Sequence, residues 1–404
     1  MSLADSGRAL TFRPAGVRAR ARSIHRPRLE WWNLAWLCIA GALGLSLLGV
    51  FAIGTTEPGF ATRQVAFLLI GVSAAAVAAL PHYRWLQRMS VPLLLLVLGL
   101  LVFVLLPFVP ESIVRPRNGA RRWINLVVTD LQPSELAKIA YVLSLASYLR
   151  YRKNYRRFLG LFLPFALTFI PLGLILVEPD LGTALLFLPT LFAMLVAAGA
   201  KLRHLVLIIA IGIAAAPMVY PILKPHQKAR IHALVYQIKG DARHVRDIGF
   251  QGDRAQTLVG AGGLLGVGRT RAASLVTYNR LPEEHNDMVF AVIACRWGLL
   301  GALTLGGLFL LVMAGGLGTA AQAKDPFGRL VIVGIVSMLF AQATINVGMT
   351  IGLLPITGMT LPFVSYGGSS LVATWIMMGL IVNVGMRRPI HLARDSFEFS
   401  DDDG

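Results

Sequence analysis

Residues 158–200 read FLGLFLPFALTFIPLGLILVEPDLGTALLFLPTLFAMLVAAGA, and the only charges in them are Glu178 and Asp180. The apolar runs on either side, 158–177 and 181–199, are parted by Glu178-Pro179-Asp180 alone. Each is close to the ~20 residues that carry an α-helix across a hydrocarbon core of ~30 Å. The pattern is therefore two membrane-crossing helices joined by a tight turn.

Working outward, similar runs recur near 31–53, 64–80, 91–109, 131–149, 203–223, 288–313, 329–352 and 367–386. The 404 residues are 56% apolar and 14% charged, a balance rare in soluble domains. The expected fold is an all-α integral membrane protein of about ten transmembrane helices, spanning 31–388. A disordered basic arm precedes it at 1–30, with no cleavable signal peptide, and a tail follows at 389–404. Residues 223–287 form one large loop between the seventh and eighth helices.

The net charge of +18 is spread over short clusters between apolar runs, as at a membrane surface, which argues against nucleic acid. With the N-terminus inside, the inner segments carry 21 basic residues and the short outer loops five. Both termini are thus expected in the cytoplasm and the large loop outside. Cys38 and Cys295 lie within apolar runs and give no disulfide framework.

The unusual residues fall mostly on the outer side. Arg115, Arg117, Arg121 and Arg122 crowd the loop 110–130 beside Asn118. They are either tolerated there or form an anion site, for which arginine's planar fork suits phosphate. Pro133 and Glu135 suit a helix start, with Lys138 on the same face as Glu135. Glu178 and Asp180 read as a cap, as weak metal candidates, or as groups orienting the basic loop.

The large loop holds Arg230, Gln251 and a glycine-rich run at 260–268. That run lacks the Lys-Ser/Thr end of a phosphate loop and points to close backbone approach to a lipid, a helix or a ligand. Asp287 follows Leu281-Pro282-Glu283-Glu284-His285-Asn286, at or near a helix start, where a cap explains it without chemistry. Residues 352–370, rich in Pro and Gly and including Ser365, Gly367 and Gly368, suggest a re-entrant stretch closing one side of an outward pocket.

In order, NGARRW, QPSELAK, EPDLGTALL, the glycine-rich run, LPEEHND and GLLPITGMTLPFVSYGGSS resemble the SEDS family, which includes RodA and FtsW. The resemblance covers roughly 31–388, and EPDLGTALL leans mildly toward RodA. It implies a peptidoglycan glycosyltransferase that polymerises lipid II at the outer face of the cytoplasmic (inner) membrane, for elongation and shape or for division. A class B penicillin-binding protein is the implied partner.

By the family's LPE-x-HTD motif, the catalytic residue falls on Asp287, flanked by His285 and Glu283. The QPSE-x-AK segment places Glu135 and Lys138 beside it as supporting residues. Asp287 would act as base toward a sugar hydroxyl, with a cation such as Lys138 keeping it ionised. Arg121, Arg122, Asn118, Arg230, Ser365, Gly367 and Gly368 are the expected substrate contacts, with a divalent cation (magnesium or manganese) left open.

One departure stands out. Where the family has GEE-x-G, this chain has Ala294-Cys295-Arg296-Trp297-Gly298. Two acidic residues are missing, and Arg296 lies about 13 Å along the helix from Asp287. The rival readings are a lipid II flippase, which would want a midplane site, and a non-catalytic scaffold.

Overall fold

The computed structural model describes residues 33–117, 120–126, 130–151, 158–222, 228–229, 232, 235–236 and 249–387. The basic arm, the tail, Asn118 and Arg230 lie outside the described residues. A helix occupies each of the ten apolar runs. They are α1 (Ala35–Thr56), α2 (Pro58–Ala79), α3 (Tyr83–Leu105), α4 (Pro133–Tyr151), α5 (Phe162–Val177), α6 (Leu181–Ala198), α7 (Leu202–Val219), α10 (Val289–Gln322), α11 (Pro326–Thr350) and α12 (Gly368–Met386). Two further helices, α8 (Phe250–Gly262) and α9 (Arg269–Asn279), lie in the large loop.

Among the described residues, eight helices are long and apolar enough to cross a membrane. Outside that set are α4, which carries Glu135, Lys138 and Arg150, and α7, whose apolar part is the shorter Leu202–Ala215. The chain is a multi-pass helical membrane protein.

Burial orders the bundle. The most apolar part of α12 is 78% buried and that of α11 61%, against 22% for α2 and 28% for α3. So α11 and α12 are central, while α2 and α3 turn one face outward. Helix α10 packs along α1, α12 along α2, and α11 between α4 and α6. Without water to drive association, such contacts depend on small residues. At Gly379 a side chain's first carbon would stand 2.2 Å from the Ala75 carbonyl oxygen.

Two features depart from the expectation. The all-α reading misses a small antiparallel sheet in the loop 110–130, made of β1 (Val114–Arg117), β2 (Ala120–Asn125) and β3 (Asp130–Leu131) in that order. Val114 and Ile124 pair across it and bury a small core with Val104 and Val109. Neighbouring strand residues point to opposite faces, which sends Arg121 and Arg122 to different partners.

The second departure is a kink in α10 at Gly298 (φ 62°, ψ −152°). A break inside a span frees backbone groups that membrane cannot satisfy. Here the glycine-rich run satisfies them. Val267 and Gly268 donate to the carbonyls of Cys295 (3.0 Å) and Arg296 (3.2 Å), while Leu299 and Leu300 donate to those of Gly263 (2.9 Å) and Leu264 (3.3 Å). Such approach requires glycine. At Gly266 (φ +82°) a first side-chain carbon would sit 2.2 Å from the Arg296 carbonyl oxygen.

Candidate active site

Asp287 is buried, in the run of turns that precedes α10. It is not the helix cap, which is Met288 and makes no side-chain cap bond. Its backbone carbonyl accepts from Asn346 Nδ2 at 2.8 Å, and its Oδ1 lies 3.5 Å from Gln251 Nε2 of α8. Gly358 (φ +70°) passes close to the other oxygen, where a first side-chain carbon would stand 3.9 Å from Oδ2.

The expected re-entrant stretch is non-helical over 352–367, mostly buried from Thr357 to Ser365, and stitched to the Asp287 loop. Tyr366 N donates to the His285 carbonyl (2.8 Å), Asn346 Nδ2 to the Met359 carbonyl (2.6 Å), and Gln64 Nε2 to the Ser365 carbonyl (2.9 Å). The Ser365 hydroxyl accepts from Leu361 N (2.7 Å) and donates to the Asn286 carbonyl, so it ties two loops together and is not displayed to a ligand. His285 stacks on Phe60 with ring centres 4.5 Å apart and meets Tyr366 edge-on. Glu283 is exposed and accepts from Asn286 Nδ2.

Lys138 and Glu135 form a buried ion pair, Nζ to Oε2 2.8 Å, with side chains 2% and 5% exposed. Lys138 Nζ also donates to Gln342 Oε1 at 3.2 Å, and Gln342 Nε2 donates to the Thr360 carbonyl at 2.9 Å. The nearest charge to Lys138 is thus Glu135 rather than Asp287. Gln342 and Asn346 are one helical turn apart on α11, so this helix links the ion pair to the Asp287 carbonyl. Sequence reasoning missed both. The available signal was two amides four residues apart in an apolar span, since polar groups in a span turn toward a bundle interior.

The remaining motifs join the same junction. Gln132 N donates to Ser369 Oγ at 3.1 Å, placing the start of α4 against Gly367 and Gly368 at the start of α12. Gln132 Nε2 (3.0 Å) and Ser134 Oγ (3.3 Å) donate to Asp180 Oδ2, while Asp180 Oδ1 caps α6 by accepting from Thr183 N. Asp180 is therefore a cap and a brace. No group of three or more His, Cys, Asp or Glu that could hold a metal occurs among the described residues. Glu178 and Asp180 thus supply no metal cage of their own.

Arg122 donates from Nε to the Glu178 carbonyl (2.7 Å) and from Nη2 to the Pro179 carbonyl. The turn orients the basic loop, through its backbone. Arg121 donates to the carbonyls of Pro107 (3.2 Å) and Val109. Both arginines thus use part of their donor set to brace loops. Among the described residues neither carboxylate oxygen of Glu178 has a hydrogen-bond partner. Burial, then the nearby Asp180, push its carboxyl up to about 8 against the opposing pull of Arg122.

Arg296 also finds its place. Its Nη1 donates to the Phe51 carbonyl (2.6 Å) and Thr55 Oγ1 (2.9 Å), and its guanidinium lies over Trp297 at 4.1 Å. Arg269 donates to the Gly54 carbonyl at 3.2 Å. Two cations sit at the C-terminal end of α1, where the helix dipole is negative.

A family model described as "Cell cycle protein", covering FtsW, RodA and SpoVE, matches residues 31–389. A protein of Geobacter metallireducens named "Probable peptidoglycan glycosyltransferase FtsW" is 34% identical over 358 residues, covering 88% of this chain and 92% of its own length. A solved chain titled "Structural coordination of polymerization and crosslinking by a peptidoglycan synthase complex" matches with TM-score 0.74 and 32% identity, over 87% of this chain and 97% of that one. The Thermus thermophilus rod shape determining protein RodA matches with TM-score 0.64 and 29% identity, over 90% and 98%. The mild lean toward RodA is not what these matches favour, since the curated relative carries the name FtsW. With the match running through every loop that meets at Asp287, this chain belongs to the FtsW/RodA/SpoVE family of cell cycle proteins.

Proposed function

We propose that this chain is a peptidoglycan glycosyltransferase that polymerises lipid II. The observation that carries the reading is a buried carboxylate, Asp287, held where the loops of a family with glycosyltransferase members converge. In the reaction, the GlcNAc 4-hydroxyl of an incoming lipid II attacks C1 of the growing chain's MurNAc. The C1–O4 bond forms with inversion, the bond from C1 to the lipid pyrophosphate breaks, and the hydroxyl proton passes to Asp287. That transfer needs hydrogen-bond reach of about 2.6–3.2 Å.

The Asn346 bond to the Asp287 carbonyl and the 351–367 wall hold the base in place. Arg122 keeps its Nη1 amine for a pyrophosphate oxygen, joined by the other outer basic residues. The ten helices cross the membrane with both termini in the cytoplasm and Asp287 on the outer side of the inner membrane. A class B penicillin-binding protein is the partner, a reading supported by the match to a chain of a peptidoglycan synthase complex.

The test is glycan synthesis from lipid II by the purified protein with its partner, beside Asp287→Asn. We expect polymer from the wild type and a loss of 100-fold or more in the variant, on the order of one catalytic base. Polymer from the variant at the wild-type rate would refute the role of Asp287. Lipid scrambling in proteoliposomes with no polymer would favour the flippase.

A further inference from the structure

A cavity of about 340 Å³ opens between α3 and α4, lined by Arg84, Gln87, Arg88, Ser147 and Arg150. Its size falls within the roughly 300–1,000 Å³ of ordinary ligand sites. Along α4, Arg150 is twelve residues from Lys138, about 18 Å at helical rise. The cavity therefore belongs to the other end of the bundle and shares no residue with the Asp287 cluster.

Its charges are unbalanced. Arg150 is held with Nη2 3.0 Å from Asp325 Oδ1 and Nη1 donating to Gln87 Oε1. Asp325 is further occupied in capping α11 through Gly328 N. Arg84 and Arg88 are exposed, four residues apart on one face of α3, and neither guanidinium has a hydrogen-bond or ion-pair partner among the described residues. Arg84 also sits in the first turn of α3, which holds no acidic residue, where the positive helix end favours an anion. Nearby His82 is held below its ordinary value first by burial and then by Arg387 and Arg84, with Asp325 pulling the other way.

The surroundings point to a lipid. Trp85, 54% exposed, stands beside Arg84, and interfacial tryptophan marks headgroup depth. From there α3 presents Val91, Leu95, Leu96 and Val102 on its outer face, an apolar track for acyl chains. Basic pockets between membrane helices on the cytoplasmic side suit anionic headgroups.

We propose that this cavity binds the phosphodiester headgroup of an anionic phospholipid. Arg84 and Arg88 grip the phosphate, the Ser147 hydroxyl donates to it, and the fixed guanidinium of Arg150 forms the wall. The site uses the membrane orientation proposed above but is independent of the glycosyl-transfer reading.

The experiment measures binding of short-chain phosphatidylglycerol to the full chain in neutral detergent, by native mass spectrometry and titration. Phosphatidylcholine and inorganic phosphate serve as comparison probes. We expect phosphatidylglycerol to be retained over phosphatidylcholine. The double variant Arg84→Gln/Arg88→Gln should weaken it on the order of tenfold or more, as for lost hydrogen bonds to a charged group. Arg203→Gln, on an exposed arginine at the start of α7, should leave it unchanged. Should the double variant not fold, Arg84→Lys/Arg88→Lys keeps the charge and should still lose part of the affinity, because the guanidinium fork is gone. Equal loss with Arg203→Gln would mean diffuse surface attraction and would overturn the site. Unchanged binding in both Arg84/Arg88 variants would do the same, as would displacement by inorganic phosphate at the lipid's own concentration.

Discussion

Replacing Lys138 by methionine removes the only cation within ion-pair distance of Glu135 among the described residues. The carboxylate then remains 5% exposed, with no opposite charge. Breaking a buried pair from one side costs about 3–5 kcal/mol, whereas removing both charges together costs little or nothing. Lys138→Met also strips a donor from Gln342 Oε1, worth about 1 kcal/mol more. We therefore expect Lys138→Met to be the worst of three variants. Glu135→Gln should be intermediate, since an amide can still accept from the ammonium, and Glu135→Gln/Lys138→Met should recover most of the loss. The assay is thermal unfolding in detergent, followed by loss of the monodisperse peak in size-exclusion chromatography. Lys138→Met should lower the midpoint by on the order of 5–10 °C. A double variant as unstable as the single one would refute the reasoning, because the stability would then come from side-chain packing and not from charge balance.

Three other outcomes follow from the same geometry. Asn346→Ala removes the donor to the carbonyls of Asp287 (2.8 Å) and Met359 (2.6 Å). Polymerisation should fall about 10- to 100-fold in kcat, with a melting loss of about 1–3 kcal/mol; unchanged kcat would show that the bond does not position the base. Gly266→Val forces a side chain against the Arg296 carbonyl at φ +82° and should cost more than 3 kcal/mol, read as aggregation during purification. Full stability in that variant would mean the kink does not depend on close backbone approach.

Glu178 concerns pH. Its folded value of about 8 lies above the ordinary 4.5, so between the two the folded state keeps a proton that the unfolded state has released. Stability therefore falls as pH rises through that window, by up to about 4 kcal/mol at its upper end. Glu178→Gln should flatten the melting profile between pH 5 and 8 and raise the midpoint at pH 8. A wild-type midpoint that rises with pH would contradict this sign.

Much of the architecture was legible because hydropathy is a local property. Each of the ten apolar runs contains a helix, and Glu178-Pro179-Asp180 is a turn between α5 and α6. The close backbone approach expected of 260–268 is also what the structure contains, with a helix as its partner. The sheet at 114–131 was not legible. Its strands are two to six residues long, rich in arginine and anchored by Val114 and Ile124, so no alternating run announced it. The bracing role of the arginines was hidden for a related reason. Composition reveals a cation but not that backbone carbonyls at 107, 109, 178 and 179 already occupy part of its donor set.

By itself, then, the sequence determined that this chain is a helical membrane protein, along with the order of its loops and the motifs that mark its family. Those follow from residue type and spacing along the chain. Only the tertiary structure decided which polar groups meet. It paired Lys138 with Glu135, drew Gln342 and Asn346 into the link to Asp287, and used Arg296 to hold a kinked α10 on the end of α1. The physical reason is that a buried polar atom must find a partner, and these partners lie anywhere from three to 245 residues away.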